Sequence, residues 1–349
     1  MLLENIINSY MTLFSLTSFL IFLGVFKISS KYFKRSFDLD FKKPQAFHTE
    51  PTPRIGGLAL FCAFVMLVLS FQYVFQVNLY EYLIISFLIF ILGFADDLKF
   101  QIGANIRLIL MTLIFSISII FFNINIEKTG LTFLNLWLEN NIFNLIFVLI
   151  CFLFVVNGSN FIDGFNGLLA IHSFIIISFL TIILTKIDES SFYVFLTGQL
   201  FIIFVFILFN FPKAKIFLGD SGSYFLGSLI ALNTIKVSHL VPSVSPFFFC
   251  SLLFYIFFEV FFSFIRKSFK RNSPLKPDNN HLHMLIFKYF NTRNNKSSNP
   301  ITSVAINLSY FILIIPAFLF RENALFSRYW FFLLLLMYLI SYFLMKKKT

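Results

Sequence analysis

The feature that most constrains this chain is the recurrence of nearly unbroken apolar runs between short polar connections. Most are about 16–20 residues long, the length of helix that crosses roughly 30 Å of hydrocarbon. They fall at Tyr10–Ile28, Ile55–Phe75, Tyr82–Phe94, Ile106–Phe122, Ile142–Val156 and Leu168–Leu184, then at Phe192–Phe209, Tyr224–Leu240, Phe247–Ile265, Ile301–Phe320 and Tyr329–Met345. The pattern predicts an all-α polytopic integral membrane protein of about eleven transmembrane helices, forming a single domain over residues 1–349. Only 12% of the residues are charged, about half the share of a soluble domain. Glu4, with no early Lys or Arg, marks the first run as a retained span rather than a cleaved signal. Cys62, Cys151 and Cys250 stand far apart in apolar runs, which reads as small buried hydrophobes rather than as disulfides or a metal site.

Orientation follows from the basic residues of the connections. With the N-terminus outside and the C-terminus inside, the cytoplasmic loops are 29–54, with Lys27 at its edge, 95–105, 157–167, 210–223 and 266–300. Together with Arg107 and the Lys346–Lys348 tail they hold about 22 of the 27 Lys and Arg residues, as the positive-inside rule requires. That rule makes no demand on acidic residues. Yet Asp38, Asp40, Asp96, Asp97, Asp163, Asp220 and Asp278 all fall on the same side, and Asp188 alone does not. The chemistry is therefore expected at the cytoplasmic face.

Five polar constellations lie there. Asp96 and Asp97, followed by Lys99, set adjacent carboxylates at a helix end, where both stay ionised only near a cation or water; a plain helix stop is the alternative. Asn157, Asn160, Asp163 and Asn166, interspersed with Gly158, Gly164 and Gly167, predict a broken or tightened helix whose oxygen donors suit Mg²⁺. Helix capping accounts for one or two of the four. Gly219-Asp220-Ser221-Gly222-Ser223, after Lys213 and Lys215, offers a helix N-terminus to a phosphate or its metal, or a simple cap. Pro53-Arg54-Ile55-Gly56-Gly57 makes a rigid, closely packed start to the second span. His281 and His283 close a basic loop that includes Arg266, Lys267, Lys270 and Arg271, with a short interfacial helix expected over His281–Phe290. Glu259 is an isolated carboxylate inside the ninth span.

In order and membrane side, these motifs resemble the polyprenyl-phosphate N-acetylhexosamine-1-phosphate transferases, the WecA/MraY superfamily, over about Thr52 to Met284. The resemblance implies transfer of a HexNAc 1-phosphate from a UDP-HexNAc such as UDP-GlcNAc to undecaprenyl phosphate. The products are the polyprenyl-diphosphate-sugar and UMP, and Mg²⁺ or Mn²⁺ is the expected cofactor. It implies a bacterial inner-membrane protein with membrane lipid around it, no nucleic-acid partner, and a homodimer as one assembly. Residue by residue, it implies Asp220 and Asn157 as metal ligands and Asp96, Asp97, Asp163, His281 and His283 as catalytic groups. Substrate contacts fall to Lys99, Arg107, Asn160, Asn166, Arg54 and Arg271. Asn166 stands where many relatives have a second Asp, and Met284 where many have a third His. Pro-Thr-Pro-Arg-Ile-Gly-Gly and Pro-Asp-Asn-Asn-His-Leu-His look more like the branch that starts O-antigen, capsule or teichoic-acid linkage units than the peptidoglycan branch acting on UDP-MurNAc-pentapeptide. A transporter or flippase would carry its polar groups near the bilayer midplane, where only Glu259 lies.

Overall fold

The computed structural model describes residues 2–32, 36–38, 51–100, 102–185, 190–269, 279–292 and 297–349. Its helices are α1 (Leu2–Tyr32), α2 (Gly56–Phe75), α3 (Tyr80–Asp97), α4 (Ala104–Phe121), α5 (Thr132–Leu138), α6 (Asn141–Ile162) and α7 (Leu168–Leu184). They continue with α8 (Ser190–Asn210), α9 (Gly219–Leu240), α10 (Pro246–Leu252), α11 (Phe254–Phe269), α12 (Leu282–Asn291), α13 (Ser298–Leu319) and α14 (Ala324–Lys348). Two short strands, β1 (Phe37–Asp38) and β2 (Thr52–Pro53), pair antiparallel with Phe37 opposite Pro53. Each predicted apolar run falls on a helix. Among the described residues seven helices are long and apolar enough to cross a membrane, or eight with the bent α10–α11 pair taken as one. The chain is an all-α polytopic membrane protein.

The bundle is built around α9. Its first sixteen residues after Leu218 are nearly all buried, although many are small or polar: Gly219, Ser221, Gly222, Ser223, Gly227, Ser228 and Asn233. Between apolar helices in lipid, small side chains let backbones approach and gain dispersion contact. Helices α2, α3, α6 and α7 all pack against it. The closeness is measurable at the glycines. A Cβ on Gly93 of α3 would sit 2.5 Å from the Ser221 backbone, one on Gly57 of α2 would be 2.4 Å from Gly222 N, and one on Gly227 would meet Val156 Cα at 2.8 Å. Deeper in the bundle, the Asn233 amide donates to Gln199 Oε1 of α8 at 2.7 Å, so two buried carboxamides satisfy each other. Outward-facing residues on the peripheral helices, such as Leu13, Ile117, Ile120 and Phe343, are exposed hydrophobes suited to lipid.

Two expected boundaries move. The fifth apolar run was expected to end at Val156, but α6 runs on to Ile162. Its polar end survives because Ser159 Oγ and Asn157 Nδ2 donate back to the carbonyls of Val155 and Leu153. Gly158 also lets α11 press close, with the Ile256 carbonyl 2.3 Å from where a Cβ would stand. The ninth run was expected as one span, Phe247–Ile265; it is two helices bent by 73°. A bend strands a carbonyl in a medium without water, and here the Tyr310 hydroxyl donates to Leu252 O at 2.5 Å. The expected interfacial helix exists as α12, whereas α5 had no expected counterpart.

A Gly93→Ala substitution should force α3 from α9. Overpacking of this kind costs about 1–3 kcal/mol. Thermal unfolding in detergent should therefore show a clearly lowered transition, with Gly24→Ala, where a Cβ meets nothing within 4 Å, unchanged.

Candidate active site

The site begins where the C-terminus of α3 meets the N-terminus of α9. The buried Asp97 carboxylate accepts from Asp220 N at 2.9 Å on one oxygen, and from Ser221 N at 2.9 Å and Ser221 Oγ at 2.6 Å on the other. Helix α9 has no cap of its own, so a carboxylate from another helix satisfies its first amides. Gly219, at φ +77°, is required for this contact: a Cβ there would lie 2.5 Å from Asp97 Oδ2. Two expectations are corrected. The N-terminal amides at Asp220 and Ser221 are taken by Asp97 rather than offered to phosphate. Asp97 itself, expected as a catalytic group, is 2% exposed and committed to holding α9.

That junction sets Asp96 beside Asp220. The Arg107 guanidinium of α4 bridges them, with Nη1 donating at 2.6 Å to Asp96 Oδ2 and at 2.7 Å to Asp220 Oδ2. All three side chains remain 20–25% exposed. From α6, Asn160 Nδ2 donates to Asp220 Oδ1 at 3.2 Å and to Ser223 Oγ at 2.9 Å. Asn157 lies one turn earlier, its Nδ2 spent on Leu153 O and turned toward Met111 Sδ. Asp163 ends α6. Loss of hydration, then the Asp220 carboxylate, push its carboxyl up to about 8. Asp96, Asp97, Asp163 and Asp220 thus share one end of the bundle.

The Pro-Arg-x-Gly-Gly segment forms a second wall. Gly56 N and Gly57 N donate to the carbonyls of Phe217 and Leu218, and Phe217 N donates to Pro53 O at 2.9 Å, so this strand is zipped to the approach to Asp220. Arg54 is held by Asp38, with Nη2 to Oδ2 at 2.7 Å and Nε to the same oxygen at 3.1 Å, while Asp220 and Asp97 also act on its charge. Lys99, expected at a substrate, donates its ammonium to Phe37 O at 3.1 Å and ties α3 to β1. Arg271, with Lys270 and Asp278, lies outside the described residues.

Asn166, also expected at a substrate, is used for bracing. Its amide N–H donates to Asn299 Oδ1 at 2.8 Å and its Nδ2 to Pro212 O at 3.0 Å. An Asp there has no donor for that carbonyl, which accounts for the carboxamide.

The histidine segment is split in role. Buried Glu259 accepts from Leu282 N at 3.1 Å, capping α12, and its Oε2 lies 2.9 Å from His281 Nδ1. An ionised carboxylate only accepts, so Nδ1 carries the proton and Nε2 points the other way. His281 also sits edge-on to Phe161 of α6, 5.4 Å between centroids, which brings it alongside the Asn160 turn. His283 was expected in the same role. It is instead wholly buried against Phe165 and His281, with neither ring nitrogen hydrogen-bonded, and burial drops it to about 4. It packs within this cluster, its Nδ1 3.9 Å from Glu259 Oε1.

Residues 79–238, which hold Asp96, Arg107, Asn160 and Asp220, match the family model of glycosyl transferase family 4. The chain is 28% identical over 241 residues to a probable undecaprenyl-phosphate N-acetylglucosaminyl 1-phosphate transferase of Bacillus subtilis, covering 68% of this chain and 66% of that one. It is 27% identical over 260 residues to the undecaprenyl-phosphate alpha-N-acetylglucosaminyl 1-phosphate transferase of Thermotoga maritima, covering 73% and 75%. Over residues 79–238 this chain is thus similar to glycosyl transferase family 4. It is also similar, at 30% identity over 190 residues, to a phospho-N-acetylmuramoyl-pentapeptide-transferase of Clostridium botulinum; that match covers 52% of this chain and 58% of the relative.

Sequence reasoning missed Asn210 and Asn299, placed Asp38 on the cytoplasmic side without pairing it to Arg54, and noted Glu259 without linking it to His281. A lone buried carboxylate was the available signal for Glu259. Nothing local marked the two carboxamides, whose partners are remote in sequence.

Asp97→Asn removes an acceptor from the α9 amides, at a cost of about 1–3 kcal/mol for a buried unpaired donor. The transferase should lose thermal stability and activity together. Asp96→Asn should lower activity while its unfolding transition stays near that of the parent protein, as measured by a thermal series on size-exclusion chromatography.

Proposed function

We propose that this transferase moves an N-acetylhexosamine 1-phosphate, with GlcNAc as the favoured sugar, from its UDP ester to undecaprenyl phosphate. The observation that carries the reading is the Arg107 guanidinium bridged between Asp96 and Asp220, 2.6 and 2.7 Å away, at the end of an apolar bundle. Such a site serves a lipid-borne phosphate and a water-borne diphosphate at once. The relatives' names support the same chemistry.

In the reaction a lipid phosphate oxygen forms a bond to the β-phosphorus of the nucleotide sugar. The bond from that phosphorus to the α–β bridging oxygen breaks, and UMP leaves with the electron pair. Both reactants are anions, so catalysis consists largely of positioning and charge neutralisation. Arg107 and Arg54 supply fixed positive charge. Asp96 holds Arg107 in place for the incoming phosphate, whose second pKa near 6 makes proton removal unnecessary at neutral pH. His281, oriented by Glu259, presents Nε2 to the diphosphate, and Asn160 with Asp163 orders the sugar side.

The residues fit a divalent ion. Asp96, Asp163 and Asp220 gather with Arg107 and Arg54 at this end of the bundle, and the Asp220 carboxylate adds to burial in raising Asp163. Among the described residues no three His, Cys, Asp or Glu side chains form a metal cluster. Mg²⁺ takes one or two protein ligands in such sites and completes its shell with phosphate and water. Asp220 and Asn157 would hold it, and when bound it would offset charge on the diphosphate. The eleven-span topology, with the N-terminus outside and this site cytoplasmic in a bacterial inner membrane, belongs to the same reading. So do the single transferase domain over residues 1–349, the role in starting a cell-surface glycan, and a homodimeric assembly. The orientation is supported by the distribution of Lys and Arg.

Membranes containing the protein, given UDP-GlcNAc, undecaprenyl phosphate and Mg²⁺, should release UMP. Chelation should stop release, and Asp220→Ala should reduce it to background. Absence of UMP with every UDP-sugar tried overturns the reading. Turnover of UDP-MurNAc-pentapeptide in place of UDP-GlcNAc reassigns the substrate.

A further inference from the structure

Asn210 closes α8 and is buried. Its carboxamide is used at both ends: Oδ1 accepts from Gly167 N at 2.6 Å, and Nδ2 donates to Ile216 O at 2.8 Å. Gly167 ends the turn that begins at Asp163, and at φ +74° it starts α7 without a side-chain cap. Ile216 lies in the segment that runs through Phe217 to Asp220. One side chain therefore spans the two turns that carry the site's carboxylates. A second crosses the same gap, since Asn166 Nδ2 donates to Pro212 O at 3.0 Å, while Asn299 of α13 accepts from Asn166 N at 2.8 Å.

We infer that Asn210 is a positioning residue, a carboxamide clasp that sets the separation of Asp163 and Asp220, with Asn166 as its partner across the same gap. Only a side chain with one acceptor and one donor at this length makes both bonds. Asp keeps the acceptor for Gly167 and faces the Ile216 carbonyl with a second acceptor. Leu loses both bonds. The gap is fixed from outside the site, so the clasp acts on the geometry of the reacting groups and not on their identity. Its kinetic consequence rests on the proposed transfer reaction; its structural consequence does not.

The test uses the full chain in lipid nanodiscs, with hydrogen–deuterium exchange read on peptides covering 163–168 and 213–220, alongside UMP release. Asn210→Leu should raise exchange in both segments together, with the membrane part of α9 unchanged. It should also lower kcat about 10- to 100-fold, as sub-ångström to ångström misplacement does, with KM for UDP-GlcNAc held within about threefold. Asn210→Asp should raise exchange chiefly in 213–220. Exchange unchanged in both segments, or raised in only one for Asn210→Leu, overturns the clasp. So does a raised KM at constant kcat, which would make Asn210 a nucleotide contact. If Asn210→Leu does not yield folded protein, Asn166→Asp carries the test: a smaller rise in the same two segments supports the clasp, and no rise overturns it. Parent protein that releases no UMP yet shows the expected exchange pattern would support the clasp and count against the transfer reading alone.

Discussion

The bond between the Asp97 carboxylate and the first amides of α9 is the contact on which the rest of the site depends. It joins the end of one apolar helix to the start of another in a medium that offers no water to either. Three hydrogen bonds fix the end of α3 to the start of α9; Gly93 lets the backbones meet, and Gly219 leaves room for the Asp97 carboxylate. Once they meet, Asp96 and Asp220 are neighbours by construction. Arg107 has only to reach from α4 to neutralise both. A pair of adjacent Asp residues thus divides its labour, one side chain turned into the protein as a cap and one turned toward the site as a charge.

Around that junction, polar side chains on several elements perform the same kind of task. Asp38 aims Arg54, Glu259 aims His281, and Asn210 ties the Asp163 turn to the Asp220 turn. Each holds a group that faces the opening, and each is more enclosed than the group it holds or lies behind it. Helix ends in lipid leave backbone donors and acceptors that must be satisfied internally. The same side chains that meet this demand also fix the reactive geometry, so stability and function draw on one set of bonds.

Much of this was legible in the residues. The apolar runs located the long helices, because burial in hydrocarbon imposes a length and a composition that no loop shares; among the described residues seven or eight of them are long and apolar enough to cross a membrane. The polar motifs located the site's end of the bundle, and Asp96, Arg107, Asn160 and Asp220 do come together. Roles within the motifs were less legible. Asp97, Lys99, Asn166 and His283 belong to the right motifs yet serve as a cap, a strap, a brace and a packing residue. Their partners, Ser221, Phe37, Pro212 and Phe165, are set by the way helices cross.

The sequence by itself determined that the chain is a polytopic membrane protein, where its apolar helices lie, and which polar stretches gather at one end of the bundle. These are properties of local composition, and hydrophobic transfer acts on each segment independently. Only the tertiary structure decided which carboxylate faces inward, where α6 stops, that the ninth apolar run bends, and which histidine is oriented. Those outcomes turn on contacts of a few ångströms between residues far apart along the chain. A glycine that admits a neighbouring backbone, or a hydroxyl that takes a stranded carbonyl, has meaning only once its partner is in place.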